Sequence, residues 1–194
     1  MRATQSAALD LFEARGYAAV SVEEIAERAD VSPSTVYRYF GTKPGTLLRD
    51  EFDASMAEDV AALLANADLS ATWDTFAVAY AELLGPGRDA TANPDILRRL
   101  HWFVTEPDVR RALSEVLDAH ARIMGDALAA TGRMSALQAH CVARAFEAAV
   151  WAAIERWYAD GASTPLVGHL REGLALIRLD LGGQASPRSS RPTA

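Results

Sequence analysis

Apolar residues recur every three to four positions along the start of the chain, which is the spacing of an amphipathic helix. Within residues 2–15, Ala8, Leu11 and Phe12 form an apolar stripe, and the charged and amide side chains fall elsewhere. Gly16 follows the stripe, where a helix commonly ends. The pattern predicts a helix that packs one face on a core.

Capping residues mark two further short helices. Ser21 and Glu24 have the spacing of a capping box, in which each side chain bonds the backbone N–H of the other residue. Ser32 precedes Pro33, a residue that favours the first position of a helix, and Gly41 follows as a stop. Two short helices joined by a tight turn predict a helix-turn-helix. Three helices within about fifty residues are a familiar DNA-reading unit.

The helix predicted over residues 33–40 has two chemically different faces. Val36 and Phe40 lie one turn apart and are expected to anchor the helix on the core. The opposite face and its flanks carry hydroxyl, phenol and guanidinium groups, on Ser34, Thr35, Tyr37, Arg38 and Tyr39. Such groups suit phosphate oxygens and base edges, and a major groove about 12 Å wide accepts a helix.

Three segments carry a family resemblance: AALDLFEARGY, then VSVEEIAERADVSPSTVYRYFGTK, then the leucine pair Leu47 and Leu48. Together they resemble the TetR family of bacterial transcription regulators. The resemblance implies an all-α protein, with a three-helix helix-turn-helix DNA-binding domain over residues 1–49. A helical ligand-binding and dimerisation domain is expected over residues 50–181.

Helical periodicity and loop signals divide the chain into about nine helices in total. Those after the DNA-binding domain are predicted at about 46–65, 71–84, 94–105, 107–132, 135–158 and 166–181. Residues 182–194 have the composition of a disordered tail. Pro44 and Gly45 stand where the family usually has strong helix formers, so we expect a soft joint there.

The resemblance also implies which residues touch DNA. The predicted contacts are Ser21, Pro33, Ser34, Thr35, Tyr37, Tyr39 and Lys43. Lys43 is the only lysine of the chain, and an ordinary solvated lysine is the alternative interpretation. Family members usually act as homodimeric repressors that leave double-stranded operator DNA when a small molecule binds the second domain. The alternative function is a helical lipid or small-molecule binding protein that does not use its helix-turn-helix for operator recognition.

Large apolar side chains of the middle helices are the candidate ligand pocket. They are Trp73, Phe76, Tyr80, Trp102, Phe103, Met124 and Leu128. Small-molecule sites are concave and largely apolar, but ordinary core packing would explain the same residues.

The segment LRRLHWFVTEPDVRRALSEVLDAHARIMGDAL is similar to the second domain of TetR-type regulators associated with acyl-CoA-like ligands. A phosphate of such a lipophilic effector could meet the arginine pairs Arg98–Arg99 and Arg110–Arg111, since guanidinium groups bind phosphate bidentately. Solvated helix surface is the alternative for each pair.

The helices at about 135–158 and 166–181 correspond to the four-helix homodimer interface that is usual in the family. A small-residue face suits close approach of a second helix: Ala139, Ala143, Phe146, Val150 and Ile154. An intrachain core face is the alternative, because periodicity does not say whose helix covers it.

The net charge is −7, yet residues 1–49 hold six basic and six acidic side chains, so the whole excess falls on residues 50–194. A neutral DNA-binding domain implies weak non-specific binding, and two such domains on one rigid body would raise operator affinity.

Composition and motifs favour a cytoplasmic regulator over an enzyme. Cys141 is the only cysteine, so no intrachain disulfide forms, and no run is apolar enough for a membrane span. The four histidines lack metal-binding spacing, and no HExxH, CxxC or GxSxG motif occurs. We expect no metal, no cofactor and no membrane association.

Overall fold

The computed structural model describes residues 1–49 and 94–175, apart from the side chains of Pro94 and Ile96. The described residues form eight helices and no strand, in agreement with the predicted all-α class. The first four are α1 (Arg2–Arg15), α2 (Val22–Arg28), α3 (Pro33–Phe40) and α4 (Gly45–Leu48). The other four are α5 (Pro94–Thr105), α6 (Pro107–Ala130), α7 (Ala136–Ala159) and α8 (Leu166–Ala175).

The caps of the helix-turn-helix are those that the sequence predicts. Ser21 Oγ accepts the N–H of Glu24 at 3.2 Å, and the Glu24 carboxylate accepts the N–H of Ser21 at 2.8 Å. Ser32 Oγ accepts the N–H of Thr35 at 3.2 Å, and Gly41 ends α3 with a φ of 72°. Side-chain caps satisfy backbone donors that would otherwise lack a partner, so these short helices have defined ends.

Two apolar clusters hold together residues 1–49, which we call the head. Val36 and Phe40 of α3 are buried against Val22 and Ala26 of α2, as the sequence predicts. The second cluster joins α1, α2 and α4 to Val109 of α6, and its members in the head include Ala8, Leu9, Phe12, Ile25 and Leu47. This packing fixes α3 on the other two helices and leaves its far side free.

Gly45 is a close-packing position. It is buried, and a Cβ at this residue would lie 1.9 Å from the carbonyl oxygen of Phe40. Only glycine lets α4 approach the end of α3 so closely, so packing explains why glycine stands at position 45. The soft joint predicted at Pro44 and Gly45 stays a prediction.

Helix α4 is shorter than the helix predicted over 46–65. It ends at Leu48, because Arg49 takes an extended conformation and its carbonyl oxygen accepts a hydrogen bond from the Gln5 amide. The remainder of that predicted helix, the one at 71–84 and the tail over 182–194 lie outside the described residues.

Helices α6 and α7 pack side by side and carry α8 against α7. Met124 and Leu128 of α6 meet the buried face of α7, and Leu170 and Leu174 of α8 complete the core. The starts at Pro94, Pro107 and Ser135 agree with prediction, and Ser135 forms a further capping box with Gln138. The second domain is thus built around α7.

The face of α7 that was predicted to contact a second copy is buried within its own chain instead. Ala139, Ala143, Phe146 and Val150 are fully buried in the core of their own chain, and Ile154 packs against the same core. Because α6 and α8 already cover this face, it has no surface left for a second copy.

Candidate functional site

Helix α3 presents an exposed polar and aromatic face. Pro33, Ser34 and Arg38 are exposed, Thr35 is half-buried, and Tyr37 and Tyr39 are 47% and 48% exposed. Large aromatic side chains that remain this exposed are outside the core and are free for an external partner. The five predicted contact residues of α3 therefore share one accessible surface.

Hydroxyl groups cluster at the first turn of α3. Ser32 Oγ lies 2.8 Å from Ser34 Oγ and 2.9 Å from Thr35 Oγ1. The first N–H groups of a helix lack partners within it and attract anions, so this end suits a phosphate oxygen.

Lys43 is held by the head itself. Its Nζ donates to the carbonyl oxygen of Tyr17 and lies 4.1 Å from the centre of the Tyr17 ring. Burial lowers the pKa of the ammonium from its ordinary value. An ammonium has three N–H donors, so a phosphate contact stays possible through the others, and the predicted DNA role of Lys43 remains a prediction.

Ser21 acts as a helix cap in this structure. Its hydroxyl lies 3.0 Å from the Glu24 carboxylate, which also pairs with Arg15 at 2.5 Å. The hydrogen bond from the Ser21 backbone, together with Arg15, lowers the pKa of Glu24 to about 2. The predicted DNA contact of Ser21 would have to come in addition to this role.

Two arginines at the surface of α3 were not in the set of contacts that the resemblance implies, although the helical pattern already placed Arg38 on the polar face. The Arg38 guanidinium lies 5.0 Å from the centre of the Tyr39 ring, and Arg49 Nη1 donates to the Tyr39 carbonyl oxygen at 3.4 Å. Helical spacing alone places Arg38 on the exposed face. Arg49 joins it only because the chain turns back at α4, which the sequence pattern did not reveal.

The four predicted ligand residues that the structure describes lie at two places. Trp102 packs on the head, with ring centroids 5.9 Å from Phe12 and 6.3 Å from Tyr17. Phe103 packs against the same head cluster and lies 6.5 Å from the ring of Trp151. Met124 and Leu128 lie in the core between α6 and α7. Trp73, Phe76 and Tyr80 lie outside the described residues, and the ligand pocket stays a prediction.

The arginine pairs contact carboxylates of the chain. Arg98 pairs with three of them, Arg110 lies 3.6 Å from Glu155, and Arg111 lies 3.3 Å from Asp108. A guanidinium that already has carboxylate partners is less available to an effector phosphate, most of all Arg98.

Glu147 and His120 form a buried polar pair that was not predicted. Glu147 Oε1 lies 4.0 Å from His120 Nδ1. Burial raises the pKa of Glu147 to about 7 and lowers the pKa of His120. The signal was present, because Glu147 follows Ala143 by four residues on the apolar face of α7.

The head matches a known family. Residues 6–48 match the sequence model of the family described as bacterial regulatory proteins, tetR family. The head is similar to the DNA-binding domain of this family. In that likeness, α2 and α3 correspond to the two helices of the helix-turn-helix. No curated protein sequence matches the chain.

Three solved structures of FadR regulators share the fold over most of the chain. FadR of Thermus thermophilus, a TetR-family transcriptional repressor in complex with lauroyl-CoA, covers 100% of this chain and 99% of its own, with 22% identity and a TM-score of 0.57. FadR of Bacillus halodurans, a fatty acid degradation regulator, covers 90% and 92%, with 17% identity and a TM-score of 0.55. FadR of Bacillus subtilis in complex with stearoyl-CoA covers 90% and 96%, with 18% identity and a TM-score of 0.52. These likenesses establish the fold.

Within residues 1–49 and 94–175, no helix combines the length and the apolar character that crossing a membrane requires.

Proposed function

We propose that the chain is a homodimeric, ligand-responsive repressor that binds double-stranded operator DNA through α3. The exposed face of α3 carries the proposal: Tyr37, Arg38 and Tyr39 stand clear of the head on a recognition helix whose two ends are capped. A helix of this kind enters the major groove, where hydroxyl and guanidinium groups reach phosphates and base edges.

The proposed homodimer uses α7 and α8 with their outward faces. Leu137 is 75% exposed, and Cys141, Ala148 and Ala152 follow it on the same exposed side of α7. Two neutral heads on one dimer would contact two half-sites about 34 Å apart, which multiplies their modest individual affinities.

The proposed effector is a long-chain acyl-CoA bound in the second domain. The fold likeness to the two FadR structures solved with lauroyl-CoA and stearoyl-CoA supports this choice. For release to follow, the ligand must favour a dimer whose heads no longer fit both half-sites, and a coupling of about 1–3 kcal/mol would change operator affinity about 5- to 150-fold.

Fluorescence anisotropy of the protein on DNA from upstream of its own coding sequence tests the proposal. We expect saturable binding that lauroyl-CoA weakens, while coenzyme A alone and lauric acid serve as controls. Binding that ignores lauroyl-CoA and stearoyl-CoA would refute the proposed ligand class. Failure to bind upstream DNA, or any DNA selected from a random pool, would refute operator recognition itself.

A further inference from the structure

The guanidinium of Arg98 contacts both the head and the second domain. Arg98 lies on α5, and its Nε and Nη2 donate to the two oxygens of Glu13 on α1 at 2.6 and 2.8 Å. Nη2 also donates to Asp10 on α1 at 2.6 Å, and Nη1 donates to Asp95 at 3.0 Å. The paired contact with Glu13 uses the planar fork of arginine, which lysine lacks.

This group of four residues, which we call the clamp, is more connected than a typical surface ion pair. The Arg98 side chain is 25% exposed and meets three carboxylates that are each about half exposed, whereas an isolated exposed pair contributes little. The hydrogen bonds that Arg98 donates to Glu13, and then those to Asp10 and Asp95, raise its pKa further above the ordinary value.

One cation meets three carboxylates in the clamp. Asp10 and Glu13 of α1 and Asp95 of α5 all contact the guanidinium of Arg98. Opposite charges at contact distance attract. Arg98 therefore attracts α1 to α5, and its loss would remove this attraction.

Helix α5 connects this contact to the core of the second domain. Trp102 lies one turn after Arg98 and packs on Phe12 of α1. From the other side of α5, Leu100 packs with the buried Trp157 of α7, and His101 Nδ1 lies 3.2 Å from the Tyr158 hydroxyl. A movement of α7 would thus reach α1 through α5, where Arg98 and Trp102 are two of the contacts. Val109 of α6 is also buried in the apolar cluster of the head.

We propose that Arg98 is a positioning residue for DNA binding: by clamping α1 to α5 it sets the angle of each head and thereby the half-site spacing that the dimer accepts. The inference rests on the proposed function and adds a residue of the second domain that touches no DNA. The clamped orientation is the one that binds the operator.

Operator spacing tests the proposal directly. Arg98→Gln in the full-length protein is compared with Arg111→Gln, a matched change at an arginine that is 73% exposed and pairs with Asp108 on its own helix. The probes are the operator located in upstream DNA and the same operator with about two base pairs inserted between its half-sites. We expect the wild type and Arg111→Gln to lose at least about tenfold in affinity on insertion, and Arg98→Gln to lose about threefold or less. On the native operator, Arg98→Gln should bind about fivefold or more weakly.

Two further variants separate positioning from plain stabilisation. Arg98→Lys should recover only part of the spacing discrimination, because an ammonium does not reproduce the bidentate contact. Glu13→Gln should imitate Arg98→Gln, and the double variant should be no worse than either single one. The proposal would be overturned if Arg98→Gln had a lower melting temperature but discriminated between the two operator spacings as the wild type does. Tighter binding of Arg98→Gln to the native operator would also overturn it.

Amide hydrogen exchange tests the clamp in the absence of DNA. We expect the amides of α1 and α5 to exchange faster in Arg98→Gln than in Arg111→Gln. Equal exchange rates in the two variants would show that the clamp does not hold these helices together. If the wild type binds no DNA, operator recognition is refuted and so is the positioning role, while this exchange difference still decides whether the clamp exists.

Discussion

The indole ring of Trp102 meets the phenyl ring of Phe12 edge-on, with the ring centroids 5.9 Å apart. The contact joins α5 of the second domain to α1 of the head. The indole N–H of Trp102 is buried, and it has no hydrogen-bond acceptor among the residues that the structure describes. Within that part of the chain Trp102 contributes packing at this junction, whereas Trp157 also donates a hydrogen bond.

Trp102→Phe should cost less stability than Trp157→Phe. The indole N–H of Trp157 donates to the Thr164 carbonyl oxygen at 2.6 Å, and phenylalanine at position 157 would lose this hydrogen bond. The difference should be about 0.5–1.5 kcal/mol, since both variants lose the same ring atoms but only one loses a hydrogen bond. Urea unfolding of the two variants measures it. Equal free energies of unfolding would contradict a role for Trp102 in packing alone.

Gly45→Ala should destabilise the head by about 1–3 kcal/mol, because the new Cβ would meet the backbone oxygen of Phe40 at 1.9 Å, and a backbone atom cannot swing away. Gly168→Ala is the matched control. A Cβ at Gly168 meets nothing within 4 Å, and alanine in a helix is favoured over glycine by about 0.5–1 kcal/mol. The melting temperature should fall in Gly45→Ala and rise in Gly168→Ala. Similar shifts for both would argue that Gly45 is present for flexibility after all.

Tyr37→Ala should weaken operator binding by about 1–3 kcal/mol, if its side chain contacts a base edge, and leave the melting temperature unchanged. Nearly half of the side chain is exposed, so its removal creates no cavity. Val36→Ala, one residue earlier and buried, should instead lower the melting temperature. Fluorescence anisotropy measures the operator affinity of both variants, and circular dichroism measures their melting temperatures. Together they distinguish a residue that contacts DNA from one that holds the helix in place. Unchanged operator affinity in Tyr37→Ala would remove this residue from the interface.

Glu147→Gln should stabilise the protein increasingly as the pH rises from 5 to 8. Burial raises the pKa of Glu147 from 4.5 to about 7, so the folded chain holds a proton that the unfolded chain releases in this window. The wild type therefore loses stability as the pH rises through the window, and glutamine does not. The free energy of unfolding of Glu147→Gln, relative to that of the wild type, should rise by about 1–3 kcal/mol between pH 5 and pH 8.

His120 contributes with the opposite sign, because burial lowers its pKa and the unfolded chain then binds the extra proton. Since His120 is present in both proteins, much of its effect cancels in the comparison of wild type with Glu147→Gln. Glu115→Gln, on the exposed side of α6, controls for the loss of one negative charge. A difference that does not vary with pH would show that Glu147 is ionised in the folded protein.

The local features of the head could be predicted from the sequence. The Ser21–Glu24 capping box, the cap at Ser32 and the opposite faces of α3 all depend on residues within four positions of each other. Hydrogen bonds and side-chain pairs at such short separations follow from helix geometry alone. For the same reason the starts of α5, α6 and α7 were predicted correctly.

Contacts between distant segments were decided by the tertiary structure. The sequence suggests an effector phosphate as the partner of Arg98, but Glu13, its bidentate partner, lies 85 residues away. Lys43 is predicted to meet a DNA phosphate, but its ammonium lies on Tyr17, 26 residues earlier. A charged side chain pairs with whichever opposite charge or carbonyl oxygen the packed helices bring to it, and that choice leaves no periodic pattern in the sequence.

The two faces of α7 illustrate the division most clearly. Periodicity predicted that Ala139, Ala143 and Phe146 share a buried face, and they do. Whether that burial comes from the same chain or from a second copy depends on where α6 and α8 lie. The sequence by itself determined which residues avoid water, because helical spacing and hydrophobicity are local properties; only the packed structure decided which helix covers them.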